Sequence, residues 1–382
     1  MPATAYSQAF EQEFDLQQLL ARLRGVALNA VDPKAEVSDD ERAWINADVV
    51  CTCCPARGAA VVRAGQTGDG RVVRQGHFRF RSADGGDGHH PECEFYGDEG
   101  GRIKGADKID FGAARSDLTR AVGELVCRGL ERGELTAVQM QDMRRWYFDT
   151  KVANRFTVVD RPEIFTWLNH LAIIASQRQS SDESDDLDCF DPVFGDLPGY
   201  QWKRAARLEV ERLEAPVAAR LSGISRAAVT VAARLAKSRH GQVEFDRSAL
   251  EKEYRAGLKL AEFMASHGGL RDSKLPVGKW SSKGAPPALL AFSALLLFQT
   301  EYDGRAAARL FVRLTQGPQA ADPRRGNIIG LNPFHDFSAW RAVKLASELA
   351  GEAGWSFDHY RDFQTAEARL RHLHAEWRAT QQ

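Results

Sequence analysis

Cys51-Thr52-Cys53-Cys54 packs three of the chain's six cysteines into four positions, and His77, His89, His90 and Cys93 complete a donor-rich window of 43 residues. No other feature constrains the fold as strongly. The runs around it, DVVC, AAVVRA and RVVRQGHFRFR, are short and β-like, and the Gly/Asp-rich turns GQTGDG and SADGGDG separate them. Hairpins this short bury little apolar surface, and a module of their size usually needs a metal or disulfides to hold together.

Disulfides belong to oxidising compartments. The N-terminus MPATAYSQAFEQEFDLQQLL is polar and acidic, with no basic leader region or small-residue cleavage site, so the expectation is a cytoplasmic, reducing setting. A thioredoxin-like C-x-x-C would sit in a βαβ pattern, which is missing here. Buried cysteines that only fill space are one remaining reading; zinc is the other. A C-x2-C knuckle directs two thiolates at one side of a tetrahedron, and a pair from a second hairpin completes the shell. The expected ligands are Cys51, Cys54, His77 and Cys93, in a closed structural site without a catalytic water. The register stays open, since Cys53 can replace Cys51 or Cys54, and His89 or His90 can replace His77 or Cys93. Glu92 is the one acidic neighbour that an open, hydrolytic site would use. Cys127, on an apolar helical face, and Cys189, in an acidic segment, fall outside this reading.

Over residues 47–97, the order of a C-x2-C pair, a Gly-containing hairpin, the HFRF element and a later His/Cys resembles the N-terminal zinc-ribbon-like module of competence protein CoiA-like families. There a Cys pair precedes an HFxH-type strand and another Cys. Phe80 stands where that family often has a second His, and no restriction-nuclease-like set of acidic residues and Lys follows. The resemblance implies nucleic-acid handling in DNA uptake, a mobile element or defence.

With 382 residues, the chain has room for two or three domains. Its 43% hydrophobic and 27% charged residues are ordinary for a globular protein and exclude fibrous and largely disordered classes. The apolar run in APPALLAFSALLLFQTEYDG stops short of the roughly 18 to 20 residues that span a bilayer. It predicts a buried core helix, and no membrane partner is expected. The expected fold is mainly α with a small β-hairpin zinc module near the N-terminus. Phe10, Phe14, Leu16, Leu19, Leu20 and Leu23, with Ser7 as N-cap, predict a helix within residues 1–46. The β module covers 47–107, a helical middle segment 108–178, an acidic linker 179–198 and a helical C-terminal domain 199–382. In that last domain Ser248 and Glu251 form an expected capping box.

A formal charge of -1 conceals an uneven distribution, with 28 Lys and Arg against 19 Asp and Glu in residues 201–382. Either a basic face meets a polyanion or solvated helix faces happen to be basic. The segment GLRDSKLPVGKWSSKG sets Arg271, Lys274, Lys279 and Lys283 around Trp280, and a second loop carries Arg324 and Arg325. Such cations neutralise phosphates, and an exposed aromatic stacks on an unpaired base. The competing reading is a solvated connection with Trp280 tucked into the core. No P-loop, G-x-S-x-G, H-E-x-x-H or dinucleotide fingerprint occurs. The expected function is a zinc-containing, non-catalytic accessory factor that associates with DNA or RNA. The alternatives are a nuclease whose active site spacing does not reveal, and a scaffold for protein partners.

Overall fold

Helices dominate, and among the described residues strands occur only as short two- and three-stranded pieces. The computed structural model describes residues 4–32, 35–66, 72–74, 76–93, 95–97, 108–110, 116–178, 190–272, 274–280, 284–321 and 329–381. The chain opens with β1 (Thr4–Ser7), β2 (Gln12–Asp15), α1 (Leu16–Arg24) and α2 (Asp39–Asp48). Strands β3 (Val49–Val50), β4 (Ala59–Val62), β5 (Gly65–Gln66), β6 (Val72–Arg74), β7 (His77–Phe80) and β8 (Lys108–Asp110) follow. Next come α3 (Asp117–Glu131), α4 (Ala137–Ala153), β9 (Arg155–Thr157), α5 (Pro162–Arg178), α6 (Trp202–Arg220), α7 (Arg226–Arg239) and β10 (Val243–Phe245). The last elements are α8 (Glu251–His267), α9 (Pro287–Gln299), α10 (Gly304–Gln316), β11 (Ile329–Leu331), α11 (Phe337–Gly351) and α12 (His359–Thr380).

These elements form two units, each discontinuous in sequence. The first comprises Met1–Asn154, Ala249–Gly278 and Ala285–His335; the second comprises Arg155–Ser248, Lys279–Gly284 and Asp336–Gln382. In the first unit, α9 is apolar around its whole circumference and is packed by α8, α10, α3 and α4, the situation such a helix requires. Among the described residues no helix is long and apolar enough to cross a membrane. In the second unit, α5, α7 and α11 share a core of Ile164, Leu168, Val229, Ala232, Trp340 and Val343. Helix α12 lies along α6 through Ala206, Val210, Ala366 and Leu370.

The N-terminus departs from the expected helix. Residues 4–15 form an antiparallel hairpin, and β1 also pairs with β3 at Tyr6–Val50 and Ser7–Val49. Helix starts only at Leu16, because Asp15 accepts the Gln18 N–H at 2.8 Å while the Gln18 side chain accepts the Asp15 N–H at 3.0 Å. Ser7 caps no helix; its hydroxyl bonds Asp48 instead. The Ser248–Glu251 box is likewise absent. Ser248 donates to Asp246 at 2.6 Å within a turn that precedes α8, whose N-cap is Leu250.

Candidate metal centre

Two turns carry the donors. The first begins where β3 ends: the Cys51 N–H donates to the Ala56 carbonyl at 2.9 Å, folding residues 51–56 into a loop, and the Cys53 N–H donates to Cys51 Sγ at 3.4 Å. Strand β4 then carries the chain away and β7 brings it back, paired Ala59–Phe80 through Val62–His77. Just beyond β7 an isolated Arg81–Asp87 bridge folds the chain back on itself through a tight turn with Gly85 at φ +82°.

The second turn is braced at both ends by Asp87, whose carboxylate accepts the His89 N–H at 2.9 Å and the Gly97 N–H at 2.6 Å. Within it the Cys93 N–H donates to the His90 carbonyl at 2.8 Å, and the Phe95 N–H donates to Cys93 Sγ at 3.5 Å. The two N–H···S bonds each sit two residues beyond their cysteine and direct positive dipoles at sulfur, as a thiolate requires. Lys151 of α4 ties the turn down by donating to the Glu92 carbonyl at 2.5 Å.

Cys51, Cys54, His89 and Cys93 converge, all buried, with their ligand atoms within 4.8 Å of one another, and this group can hold a metal ion. Cys51 Sγ lies 3.8 Å from Cys93 Sγ, while His89 Nδ1 lies 3.5 Å from Cys54 Sγ and 3.6 Å from Cys93 Sγ. Without a cation, burial pushes the Cys51 and Cys93 thiols well up. Cys54 goes the other way, because the Cys51 and then the Cys93 side chains hydrogen-bond to it and outweigh its burial. Ionising these buried sulfurs together is costly unless a cation compensates their charge, which is what metal ligation would do.

Three of the four expected ligands, Cys51, Cys54 and Cys93, are brought together; His77 is not among them, and His89 completes the group. The reason is the two-residue period of a strand. Phe78 and Phe80 share one face of β7 and enter the apolar cluster that contains the cysteines, so His77 and Arg79 point to the other face. His77 is buried there. His90 is also excluded: its ring stands edge-on to Phe148 at 5.1 Å and its Nδ1 accepts the Glu92 N–H at 3.1 Å. Cys53 is buried beside the group, and Cys127 lies buried in α3. Cys189 lies outside the described residues. The signal for His89 was its His-x3-Cys spacing from Cys93, one short turn that delivers both donors.

The basic loop is less open than its composition implied. Trp280 is buried, with 8% of its surface exposed, so it offers no stacking platform. The Arg271 guanidinium donates to the Ala265 and Ser266 carbonyls at the end of α8, 3.1 and 3.4 Å away. Lys274 and Lys279 are exposed. Lys283, Arg324 and Arg325 lie outside the described residues. The charge asymmetry along the chain does not follow the structural units either: residues 155–248, 279–284 and 336–382 hold 21 Lys and Arg and 21 Asp and Glu. Local placement therefore matters more than the balance of either half.

No family model, curated protein or solved structure matches the chain.

Proposed function

We propose that the protein is a zinc-containing, non-catalytic accessory factor that associates with nucleic acid in the cytoplasm, with its metal as a structural staple. The observation that carries the metal assignment is the spacing of the donors. Tetrahedral zinc with the usual bond lengths separates two thiolates by ~3.8 Å and a thiolate from an imidazole nitrogen by ~3.6 Å. The separations here are 3.8 Å for Cys51–Cys93 and 3.5 and 3.6 Å for the His89 pairs. Four buried protein donors leave no open position for water, the mark of a structural site. When bound, zinc would neutralise the thiolates and pin the two turns together; Asp87, Lys151 and the backbone N–H groups hold the sulfurs and the imidazole in place.

The resemblance of residues 47–97 to CoiA-like modules, with a setting in DNA uptake, a mobile element or defence, supports the nucleic-acid part. So does a long acid-free stretch. Between Glu214 and Glu244 there is no Asp or Glu, while Arg220, Arg226, Arg234, Lys237 and Arg239 all occur.

Elemental analysis with a nucleic-acid binding assay tests the proposal. One zinc per folded chain, and binding that weakens with salt, are the expected results. A folded, zinc-free protein would remove the metal assignment, and metal-dependent cleavage of DNA or RNA would transfer the protein to the nuclease reading.

A further inference from the structure

Helix α7 presents an unusual surface. Ser225 caps it by accepting the Ala228 N–H at 3.2 Å, and no acidic residue occurs from Arg226 to Arg239. Val229, Ala232 and Ala236 form its buried side, packed in one apolar cluster with Val217 of α6, Leu221 and Ile224 of the connecting turn, and Val343 of α11. At about 100° per residue, Arg226, Ala227, Thr230, Arg234, Lys237 and Ser238 fall within an arc of about 120° on the opposite side. All six are exposed. Arg239, outside that arc, is paired with Glu244 at 3.5 Å. Among the described residues, Arg226, Arg234 and Lys237 have no carboxylate partner.

The face thus combines three unneutralised cations, spread along about 16 Å of helix axis, with an alanine and two hydroxyl side chains that keep it slim. A membrane surface would call for large apolar residues beside the cations, and here there is only Ala227. The connection before α7 narrows the choice further. Helix α6 ends at Arg220, and Leu221–Ser225 turn the chain through Gly223 at φ +76°, a left-handed conformation that favours glycine. Leu221 and Ile224 anchor that turn in the core. A helix, a short Gly-containing turn and a second helix, buried on its inner side and polar on its outer side, form the arrangement that places an α-helix in a DNA groove. The major groove of B-DNA, ~12 Å wide, admits a helix, whereas that of A-form RNA is too narrow.

We infer that α7 enters the major groove of duplex DNA. Arg226, Ala227 and Thr230, in its first turns, face base edges, and Arg234 and Lys237 meet phosphates. The inference rests on the nucleic-acid reading above and identifies the surface that carries it.

The test is fluorescence anisotropy with a duplex of about 20 to 30 bp across a salt series, using the full chain, with an RNA hairpin as second probe. The Arg234→Ala/Lys237→Ala variant should lower the slope of log affinity against log salt by about 1.8, at ~0.9 per phosphate contact. Thr230→Glu, which sets a carboxylate in the middle of the face, should weaken binding by about tenfold or more by repelling phosphates. Lys274→Ala/Lys279→Ala should leave duplex binding unchanged. All the altered positions are solvent-exposed, and thermal melts monitored by circular dichroism check that the variants fold. Absence of any nucleic-acid binding by the wild type defeats the general reading along with this one. Duplex binding that survives Thr230→Glu and the double variant overturns the α7 assignment alone. Binding of the RNA hairpin but not the duplex, lost in the α7 variants, overturns the choice of DNA.

Discussion

The Phe80 ring stands edge-on to the His89 imidazole, with centroids 5.2 Å apart and planes at 65°. On its other flank His89 meets Phe95 at 5.8 Å, so two aromatic rings fix the orientation that directs Nδ1 at Cys54 and Cys93. Phe80 is thus an apolar brace for the histidine that reaches the cysteines. Because β7 alternates faces, the strand that positions His89 through Phe80 also turns His77 away.

His89→Ala and His77→Ala should therefore behave differently. Replacing His89 removes one of four donors and should release the metal from most chains, with a fall in melting temperature. His77→Ala should keep about one metal per chain, because the donor set is untouched, although a buried side chain is lost. Elemental analysis of the purified variants separates the two cases. Metal retained in His89→Ala but lost in His77→Ala would return the site to the Cys51, Cys54, His77, Cys93 register.

Phe80→Ala leaves all four donors in place and tests the brace itself. The ring is 2% exposed, and emptying such a site costs about 3–5 kcal/mol. The expected result is a lower urea midpoint together with faster transfer of metal to a chelator, since the imidazole loses a wall. A midpoint shift with no change in chelation rate would show that Phe80 supports the core only.

Gly88 precedes His89, and its own N–H donates to the Phe80 carbonyl at 3.1 Å. A Cβ there would meet Arg81 backbone atoms at 2.8 and 3.0 Å and the Phe80 carbonyl carbon at 3.0 Å, none of which can swing aside. Gly88→Ala should displace the turn and reduce metal content, whereas Gly85→Ala, with open space around its Cβ, should suffer only the strain of its positive φ. Equal metal content in the two variants would contradict this account.

Much of this architecture was legible because it is local. The Cys51–Cys54 knuckle, the β-like runs and most helices follow from spacing over a few residues, and so does α9, whose apolar run leaves it no solvent face. What could not be read depends on pairing across distance. The choice of His89 over His77 follows from the β4–β7 register, which sets Val61 opposite Phe78 and thereby decides which face of β7 meets the cysteines. Phe10 and Phe14, four apart, suit a helix equally well; pairing of β1 with Val49–Val50 and capping by Asp15 decide for a hairpin. The discontinuous units, with residues 249–278 and 285–335 joined to 1–154, follow no linker composition. For Trp280 the polar neighbours left two readings open, a stacking platform or a side chain tucked into the core, and the fold decides for the core.

Arg144 and Glu13 form an ion pair in the first unit, with Arg144 Nη1 3.1 Å from both carboxylate oxygens and side chains 4% and 5% exposed. The Thr4 hydroxyl also donates to Glu13. Removing one partner strands a buried charge, so Glu13→Gln or Arg144→Met alone should cost about 3–5 kcal/mol. The double variant Glu13→Gln/Arg144→Met strands none and should recover a large part of that loss, which urea denaturation measures. Additive losses would mean that the two charges do not depend on each other.

The acid limb of stability should bear the mark of Glu41. Hydrogen bonds from Arg24, at 2.7 and 3.0 Å, are the main cause that holds its carboxyl down to about 2, and the Ser38 N–H at 2.8 Å adds to them. A carboxyl lowered in the folded state contributes stability that is fully present above its unfolded value, about 4.3, and is lost as pH falls toward the folded value. Loss in acid of a metal held by the cysteine cluster would affect wild type and variant alike, so the informative quantity is the difference between wild type and Glu41→Gln. That difference should be constant from about pH 7 to pH 5 and shrink steadily below about pH 4.5, as the wild-type carboxylate takes up its proton. Urea midpoints of the two proteins along this series measure it. A difference that persists undiminished to about pH 2.5 would show that the ionised Glu41–Arg24 pair makes no net contribution to stability.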